Sequence, residues 1–419
     1  MEGGDPLAGL TRTDAEALDA ADPLAGFRDR FVVGDPETIY LDGNSLGRLP
    51  VATRERLAAL VTEEWGERLV TAWSDWIDAP VRTGDLLAEG VLGARAGEVI
   101  VCDSTTVNLY KLARALLAGR PGAVLTDAGN FPTDRYVLDG LGRDSRLFEP
   151  ADLVHGPSAG DVARAVAGGG VALVVLSHVA YATGAVADIP AIEAAAGDTP
   201  VIWDLSHAAG AVEVGLERSG ARYAVGCTYK HLNAGPGAPA FLYVRTAAQT
   251  GLRTPIQGWF GQREQFAMER AYDPEPGLRG FLAGTPPILG LAAVEEGARL
   301  TAEAGMAAVA AKGRSLTGLL VALADERLVA LGFTLGSPRD GGRRGAHVAL
   351  RHPQAWPICR ALIERARVIP DFRPPDRVRL GVAPLYTTHV ELFEAVERLA
   401  GLVERGEHRA FDPTPSGVT

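Results

Sequence analysis

The sequence predicts an α/β protein with a mostly parallel sheet, because short apolar runs alternate with helix-length segments from about residue 95 onward. The clearest runs are VALVVLS at 171–177, VIWD at 201–204, YAVGCTYK at 223–230 and AFLYV at 240–244. Helix-length segments separate the first three runs, which is typical of strand–helix–strand units in a sheet covered on both faces. The fourth run follows too closely for a crossover helix, so we expect it to pair antiparallel with a neighbour.

The chain of 419 residues is longer than one hydrophobic core usually covers, so we expect more than one domain. We predict an N-terminal arm and first turn at residues 1–50, which join the small domain. A large α/β domain is predicted at 51–299 and a small C-terminal α+β domain at 300–419. The pattern changes near Pro286, where a long alanine-rich helical stretch begins, and the predicted boundary falls within that stretch.

Individual elements follow from local signals. TIYLDGNSLGRLP reads as a short strand running into a glycine turn, followed by a helical pattern at about 51–65. The alanine-rich stretch is predicted to be helical over about 289–328. Thr388 and Glu391 stand in capping-box spacing, which predicts the start of the last helix.

Composition excludes several classes of protein. The chain is 47% hydrophobic and 22% charged, with a net charge of −11 and no basic block, which argues against nucleic acid or an anionic membrane as a partner. The three cysteines are far apart and form no CxxC pair, and the N-terminus lacks a signal-peptide pattern. No apolar stretch approaches the ~18 residues of a membrane helix. We therefore expect a soluble, cytoplasmic protein, and no metal site because the histidines form no ligand-spaced pair.

Three polar residues close successive apolar runs at their carboxyl ends: Ser177, Asp204 and Lys230. In open α/β sheets ligands bind at that edge. An unprotonated lysine amine there can form a Schiff base with a carbonyl, and pyridoxal phosphate is commonly held in this way. Asp204 suits the pyridine nitrogen of that cofactor, and Phe131 suits the face of its ring.

The phosphate of such a cofactor needs hydroxyls and free N–H groups at a helix start, which Ser104, Thr105 and Thr106 provide. Each candidate also has a purely structural interpretation. Thr105 and Thr106 could be plain N-caps, Phe131 a core residue and His207 a helix-start residue. Tyr229 could be a strand residue and Cys227 a buried small hydrophobe.

Eight segments, in order along the chain, closely resemble the kynureninase family: LDGNSLGRLP, TTVNLYKL, NFPTDRY, DIPAI, WDLSHAAGAVEV, CTYKHLNAGPGAPAFLYV, GWFGQ and GTPPILGL. The resemblance runs from about residue 40 to beyond Arg379. It implies a fold-type-I pyridoxal-phosphate enzyme of the class V aminotransferase group, with a mostly parallel, seven-stranded-type sheet and a small C-terminal domain.

The resemblance also implies roles for matching residues. Lys230 would bind pyridoxal 5'-phosphate covalently, and Tyr229 would contact its phosphate and assist proton transfer. Asp204 would pair with the pyridine nitrogen, and His207 would lie beside the ring. The other cofactor-binding positions would be Thr105, Thr106, Phe131, Pro132, Thr133, Asp134 and Ser177.

Further residues would bind the substrate or act across a homodimer. Trp259 and Thr285 resemble positions that reach the cofactor site of the other subunit. Arg379 resembles the arginine that binds the substrate α-carboxylate, a task suited to a bidentate guanidinium. Trp73 and Thr285 stand where animal-type enzymes that favour 3-hydroxykynurenine carry His and Asn. Both residues therefore favour unsubstituted kynurenine, although a ring-substituted kynurenine stays open as an alternative.

The implied reaction is hydrolysis of L-kynurenine to anthranilate and L-alanine in tryptophan catabolism, with Lys230 or Tyr229 as the base that activates water. Competing interpretations are weaker. A cysteine desulfurase would need an exposed cysteine near 320–350, where the sequence has none. A serine hydrolase could use Ser45 in Gly43-Asn44-Ser45-Leu46-Gly47, but RLP separates that serine from the next helix. A non-catalytic binding protein is disfavoured because Lys230, Asp204 and Arg379 are intact.

Overall fold

A computed structural model describes residues 9–415. Of the predicted arm, residues 1–8 lie outside the described part, and so do residues 416–419 of the predicted small domain. Within the described residues the strands are β1 Ile39–Tyr40, β2 Val99–Val101, β3 Ala123–Asp127, β4 Ser145–Phe148, β5 Val171–Ser177, β6 Val201–Asp204, β7 Tyr223–Gly226, β8 Phe241–Val244, β9 Thr334–Leu335, β10 His347–Arg351, β11 Val368–Ile369, β12 Asp371–Arg373 and β13 Arg377–Gly381.

Fourteen α-helices connect these strands in the same described range: α1 Arg12–Ala20, α2 Val51–Ala59, α3 Trp73–Trp76, α4 Ala79–Leu87, α5 Thr105–Leu116, α6 Pro132–Asp139, α7 Ala159–Ala167, α8 Ile189–Ala196, α9 Leu216–Ser219, α10 Thr246–Gln249, α11 Ile288–Ala304, α12 Met306–Arg327, α13 Ala355–Arg365 and α14 His389–Glu404. Two π-helical segments, Leu60–Arg68 and Ala88–Leu92, extend α2 and α4. The predicted helix at 51–65 is thus partly π-helical. Short 3₁₀ turns include Trp259–Gly261 and Gly277–Phe281.

The predicted fold class is confirmed by a seven-stranded sheet in the order β2-β8-β7-β6-β5-β3-β4. Strands β4, β3, β5, β6 and β7 run parallel, and β8 pairs antiparallel with both β7 and β2. The expected antiparallel pairing of AFLYV is therefore correct. The predicted strand over YAVGCTYK is shorter than expected, because it ends at Gly226 and its last four residues form a loop. The central strands are apolar because helices cover both faces of the sheet.

The small sheet has the order β12-β13-β10-β9, and its core includes α12, α13 and α14. The arm joins this part of the chain, since β1 pairs with β11 and Ala15, Ile39 and Leu41 lie in the same core. The predicted capping box of α14 is confirmed, because the Thr388 hydroxyl accepts from the Glu391 amide while the Glu391 carboxylate accepts from the Thr388 amide.

The predicted alanine-rich helix is in fact two helices, because Gly305 adopts a positive φ of 78° between α11 and α12. Helix α11 contributes Leu291, Val294 and Ala298 to the core of the large sheet. Helix α12 contributes Leu316, Leu320 and Leu323, among others, to the small core. From this division we propose that the domain boundary lies at Gly305, a few residues beyond the predicted one.

The expectation that no segment has the length and hydropathy of a membrane helix is wrong for one element. In the described residues Met306–Arg327 is long and apolar enough to cross a membrane by those two criteria. Its alanines and leucines raise the hydropathy, but the same leucines pack in the small core against α14. The helix therefore has the character of a core helix.

Candidate active site

The carboxyl edge of the large sheet carries the three polar residues that the sequence predicted there. Ser177 and Asp204 are the last residues of β5 and β6, and they are register partners. Lys230 lies four residues beyond the end of β7. Strand β8 is antiparallel to both β7 and β2, so β2 runs parallel to β7. Helix α5 follows β2 in the chain, and its first residues therefore lie at this same edge.

Lys230 lies among the aromatic and polar residues predicted to surround it. Its Nζ is 3.1 Å from Nε2 of His207. The same nitrogen lies 5.8 Å from the ring centroids of both Phe131 and Tyr229. Phe131 in turn contacts Tyr181 edge-to-face, with ring centroids 5.2 Å apart. One lysine amine thus faces an imidazole and two aromatic rings at the end of the sheet.

Burial controls the ionisation of this region. Burial raises the pKa of Asp204, and burial together with the charge of Asp204 raises the pKa of Asp134 well above its usual value. Burial and the positive charge of Lys230 hold the pKa of His207 well below its usual range. His207 is therefore neutral, so its Nε2 can accept a hydrogen bond from the lysine, which leaves Nδ1 as the protonated nitrogen.

Asn130 is a residue that the sequence reasoning missed, although it precedes Phe131 in the NFPTD segment. Its Oδ1 accepts from the Ser177 hydroxyl and from the Phe131 amide, both at 2.7 Å. Its Nδ2 donates to Thr126 Oγ1 at 3.0 Å and to Asp134 Oδ2 at 3.3 Å. Asn130 thereby fixes the start of α6, where Pro132 and Thr133 also lie, against the end of β5.

The start of α5 does not support the interpretation of Thr105 and Thr106 as plain N-caps. Ser104 is the N-cap, and its hydroxyl accepts from the amide of Val107. Thr105 and Thr106 are the first two helical residues, so the interpretation of them as N-caps is wrong. Helix geometry gives the amides of these first residues no intrahelical acceptor. Two amides and two hydroxyls are therefore positioned to bind an anion.

The loop that carries Tyr229 and Lys230 contacts the glycine turn of the arm. The Gly47 amide donates to the Tyr229 carbonyl at 2.8 Å. A Cβ at Gly47 would lie 2.3 Å from the Lys230 carbonyl oxygen and 2.3 Å from Asn233 Oδ1, so only glycine fits there without displacing the loop. Burial and the neighbouring Cys227 raise the pKa of Tyr229 above its usual value, which keeps the phenol protonated at neutral pH.

Arg379 is almost completely buried, with 1% of its surface exposed. Its guanidinium donates to both carboxylate oxygens of Asp371, through Nε at 2.9 Å and through Nη2. Nη2 also donates to Ser45 Oγ at 3.0 Å, and Nη1 donates to the Tyr181 carbonyl at 2.7 Å. Of five N–H groups on an arginine, four are engaged, and one on Nη1 remains for a substrate carboxylate.

A second carboxylate lies in this cluster and was not singled out from the sequence. Burial, and next the charge of Asp371, raise the pKa of Asp42 to about 7. Burial acts on Asp371 in the same direction, but the charge and hydrogen bonds of Arg379 outweigh it and lower the pKa of Asp371. Asp371 is thus ionised against the arginine while Asp42 titrates near neutral pH.

Trp73, Trp259 and Thr285 form a separate group. Trp73 and Trp259 both contact Phe260, with ring centroids 5.7 Å and 5.3 Å away. The Phe260 amide donates to the carbonyl of Ala283, two residues before the exposed Thr285. Within residues 9–415 no hydrogen bond or ring contact joins these three side chains to Lys230 of the same chain.

Pyridoxal phosphate fits the donor set at the sheet edge. The Asp204 carboxylate is 6% exposed and accepts one hydrogen bond from the Ser206 amide, and its raised pKa would return toward normal beside a protonated pyridine nitrogen. Lys230 Nζ is directed at a neutral imidazole rather than at a carboxylate. The start of α5 offers the amides and hydroxyls that a phosphate requires.

Known proteins resemble this chain along most of its length. Residues 309–399 match the model of the kynureninase C-terminal domain, and residues 158–336 match that of the class-V aminotransferases. The kynureninase of Pseudomonas fluorescens is 42% identical over 406 residues, covering 94% of this chain and 96% of the relative. The chain belongs to the kynureninase family. The kynureninase of Burkholderia pseudomallei is 40% identical over 417 residues, which cover 96% of this chain and 97% of that one.

Solved structures of lower identity share the fold. A cysteine desulfurase of Thermococcus onnurineus aligns with a TM-score of 0.74 at 19% identity, covering 88% of this chain and 95% of its own. A cysteine desulfurase of Escherichia coli aligns at 0.76 and 15% identity, covering 91% and 98%. These likenesses show the fold, while the match to the class-V aminotransferase model and the kynureninase relatives imply pyridoxal phosphate as the cofactor. A desulfurase reaction finds no support, because all three cysteines of this chain are buried.

The hydrolase alternative at Ser45 is also unsupported. The Ser45 hydroxyl donates to Asp371 and accepts from Arg379 and Arg373, and it lies after a two-residue strand outside the main sheet. A Ser–His–Asp series occurs elsewhere, at Ser315, His389 and Asp19, with bonds of 2.8 Å on each side of the imidazole. Asp19 also binds the His389 and Val390 amides, so these donors are not free to stabilise an oxyanion.

In the described range no group of three or more His, Cys, Asp or Glu side chains comes together in a way that could hold a metal ion.

Proposed function

We propose that this protein hydrolyses L-kynurenine to anthranilate and L-alanine, with pyridoxal 5'-phosphate bound covalently to Lys230. The observation that carries the proposal is the arrangement of Lys230, His207, Asp204 and Phe131 at one sheet edge, in a chain 42% identical to a kynureninase. When bound, the cofactor supplies an electron sink for the carbanions that form as the Cα proton and the Cβ–Cγ bond are lost.

Lys230 moves the proton in this proposal. Its Nζ, once freed by the incoming amino acid, takes the proton from the substrate Cα. His207 lies 3.1 Å away and is neutral, so it accepts a hydrogen bond from the lysine without repelling its positive charge. Asp204 would supply a carboxylate for the pyridine nitrogen, and the ring of Phe131 would cover one face of the cofactor.

Tyr229 and Lys230 were both candidates for the base that activates water at the γ-carbonyl. The raised pKa of Tyr229 keeps its phenol protonated at neutral pH, which suits a proton donor and opposes a base. We therefore assign the base to Lys230 Nζ, which would accept the water proton after it has passed the Cα proton back to the bound substrate and cofactor. Tyr229 would donate a hydrogen bond to the phosphate and, after Cβ–Cγ cleavage, a proton to Cβ.

Substrate binding is assigned to two regions. The free N–H on Nη1 of Arg379 faces away from the Asp371 pair and would bind the α-carboxylate. In a homodimer the group of Trp73, Trp259 and Thr285 would complete the partner's site, because it makes no contact with Lys230 of its own chain. The threonine at 285 and the tryptophan at 73 favour a kynurenine without a ring hydroxyl. A cytoplasmic place in tryptophan catabolism that supplies NAD biosynthesis belongs to the same proposal.

Borohydride reduction tests the cofactor assignment. Purified protein should be yellow, and reduction followed by peptide mass spectrometry should find the pyridoxyl group on Lys230. A Lys230→Ala variant provides the control, because it should retain the fold and carry no such label. A protein that never takes up pyridoxal phosphate, or a label on another lysine, would refute the proposal.

A further inference from the structure

Lys111 is a fully buried lysine near the predicted phosphate site, and the proposed reaction assigns it no task. It lies in the second turn of α5 and has 0% of its side chain exposed. Its Nζ contacts Asp103 Oδ2 at 2.5 Å, the Phe281 carbonyl at 2.6 Å and Cys102 Sγ at 3.6 Å. A lysine has three N–H donors, so every donor is engaged. The ammonium is therefore fixed in place.

The first partner of Lys111 shapes the chain just before the anion-binding threonines. Asp103 has a positive φ of 48°, a conformation that few residues other than glycine adopt. It directly precedes the N-cap Ser104, and its carbonyl accepts from the Ala240 amide at 2.8 Å. The contact with Lys111 thus holds the turn from β2 into α5, which sets the direction of the amides of Thr105 and Thr106.

The second partner belongs to the segment that leads to Thr285. Phe281 ends the 3₁₀ turn Gly277–Phe281, and two residues later Ala283 accepts from the amide of Phe260. One buried ammonium therefore joins the helix start to the Trp259–Gly261 turn. The third partner is a neutral thiol, because burial raises the pKa of Cys102 to about 11.

From these contacts we propose that Lys111 is a positioning residue for the phosphate of the cofactor. It holds the turn at Asp103 so that the first amides and hydroxyls of α5 converge on one anion. This inference rests on the proposed function, since it requires pyridoxal phosphate as the ligand. Loss of the ammonium should therefore weaken recognition of the phosphate and leave recognition of the ring and aldehyde unchanged.

The test compares two ligands on the apoenzyme: pyridoxal phosphate and pyridoxal, which lacks the phosphate. In Lys111→Met the Kd for pyridoxal phosphate should rise roughly tenfold, the equivalent of one phosphate hydrogen bond, while the Kd for pyridoxal should stay within twofold of wild type. The control is Lys312→Met. Lys312 is also buried, is paired with Asp22 at 2.6 Å, and lies in α12. It should lose stability with no change in the ratio of the two Kd values.

An unchanged ratio in Lys111→Met, or the same ratio in both variants, would overturn the assignment. If Lys111→Met does not fold, Asp103→Asn replaces it, because asparagine tolerates the positive φ but removes the negative partner. In Asp103→Asn, a rise in the Kd for pyridoxal phosphate relative to that for pyridoxal supports the assignment, and an unchanged ratio of the two Kd values overturns it. Wild-type apoenzyme that binds neither ligand would instead refute the proposed function, and the inference with it.

Discussion

The substitution Arg379→Lys tests substrate binding most sharply, because the structure fixes how many hydrogen bonds the guanidinium makes. Arg379 uses four N–H groups on Asp371, Ser45 and Tyr181, and keeps one for a substrate carboxylate. A lysine has three donors, so at least two of these five bonds are lost. The positive charge at position 379 remains, so the buried Asp371 carboxylate keeps two cationic neighbours, this side chain and Arg373.

The size of the effect follows from the lost bond to substrate. A hydrogen bond to a charged group is worth roughly 1.5–3 kcal/mol, so KM for kynurenine should rise roughly ten- to hundredfold. The kcat should change far less, because Lys230 and His207 lie elsewhere in the site. The assay follows anthranilate fluorescence over a range of kynurenine concentrations, with the thermal unfolding midpoint measured on the same samples.

Arg373→Lys is the matched control for this prediction. Arg373 bonds to the same two partners, Asp371 at 2.8 Å and Ser45 at 3.3 Å, but its side chain is 33% exposed. Its KM should stay close to that of wild type. A folded Arg379→Lys enzyme with the wild-type KM, or a larger rise in KM for Arg373→Lys, would remove Arg379 from the substrate site.

Three further predictions concern specificity, pH and the glycine turn. Thr285→Asn combined with Trp73→His should shift the ratio of kcat/KM values toward 3-hydroxykynurenine, and an unchanged ratio would refute that assignment. The pKa of Asp42 is about 7 in the folded chain against an ordinary value near 4, so its contribution to stability is present below pH 4 and lost as the pH rises through 7. In Asp42→Asn apoenzyme the decline between pH 5.5 and pH 8, measured by urea unfolding, should therefore be smaller by about 2 kcal/mol; an equal decline in both proteins would show that Asp42 does not cause it. Gly47→Ala should lower the free energy of unfolding by about 1–3 kcal/mol, because its Cβ clashes with the Lys230 carbonyl. An unchanged thermal unfolding midpoint would show that the loop carrying Lys230 moves aside without loss of stability.

The sequence was sufficient to predict the features that depend on local pattern. The apolar runs predicted the central strands. The polar residue that closes a run predicted that Ser177 and Asp204 lie at the carboxyl edge of the sheet. The capping box at Thr388 and the antiparallel pairing of β8 were predictable for the same reason, because spacing along the chain decides them. Lys230 was predicted at the end of a strand and lies instead in the loop beyond it.

Contacts between distant residues could not be predicted from local pattern. Ser45 and Arg379 are 334 residues apart, so the GNSLG segment resembled a nucleophile motif until the fold placed its hydroxyl against a guanidinium. Lys111 and Phe281 are likewise 170 residues apart. Asn130 did have a local signal, since it lies in the quoted NFPTDRY segment and directly precedes a helix start.

The most direct test of the account is turnover of L-kynurenine by the enzyme loaded with pyridoxal phosphate. Chromatography should find anthranilate and L-alanine in equal amounts, with no sulfide or other amino acid product, and Lys230→Ala should abolish both. 3-Hydroxykynurenine should be cleaved with a lower kcat/KM. A cofactor-loaded enzyme that releases no anthranilate, or a Lys230→Ala variant as active as wild type, would contradict the account.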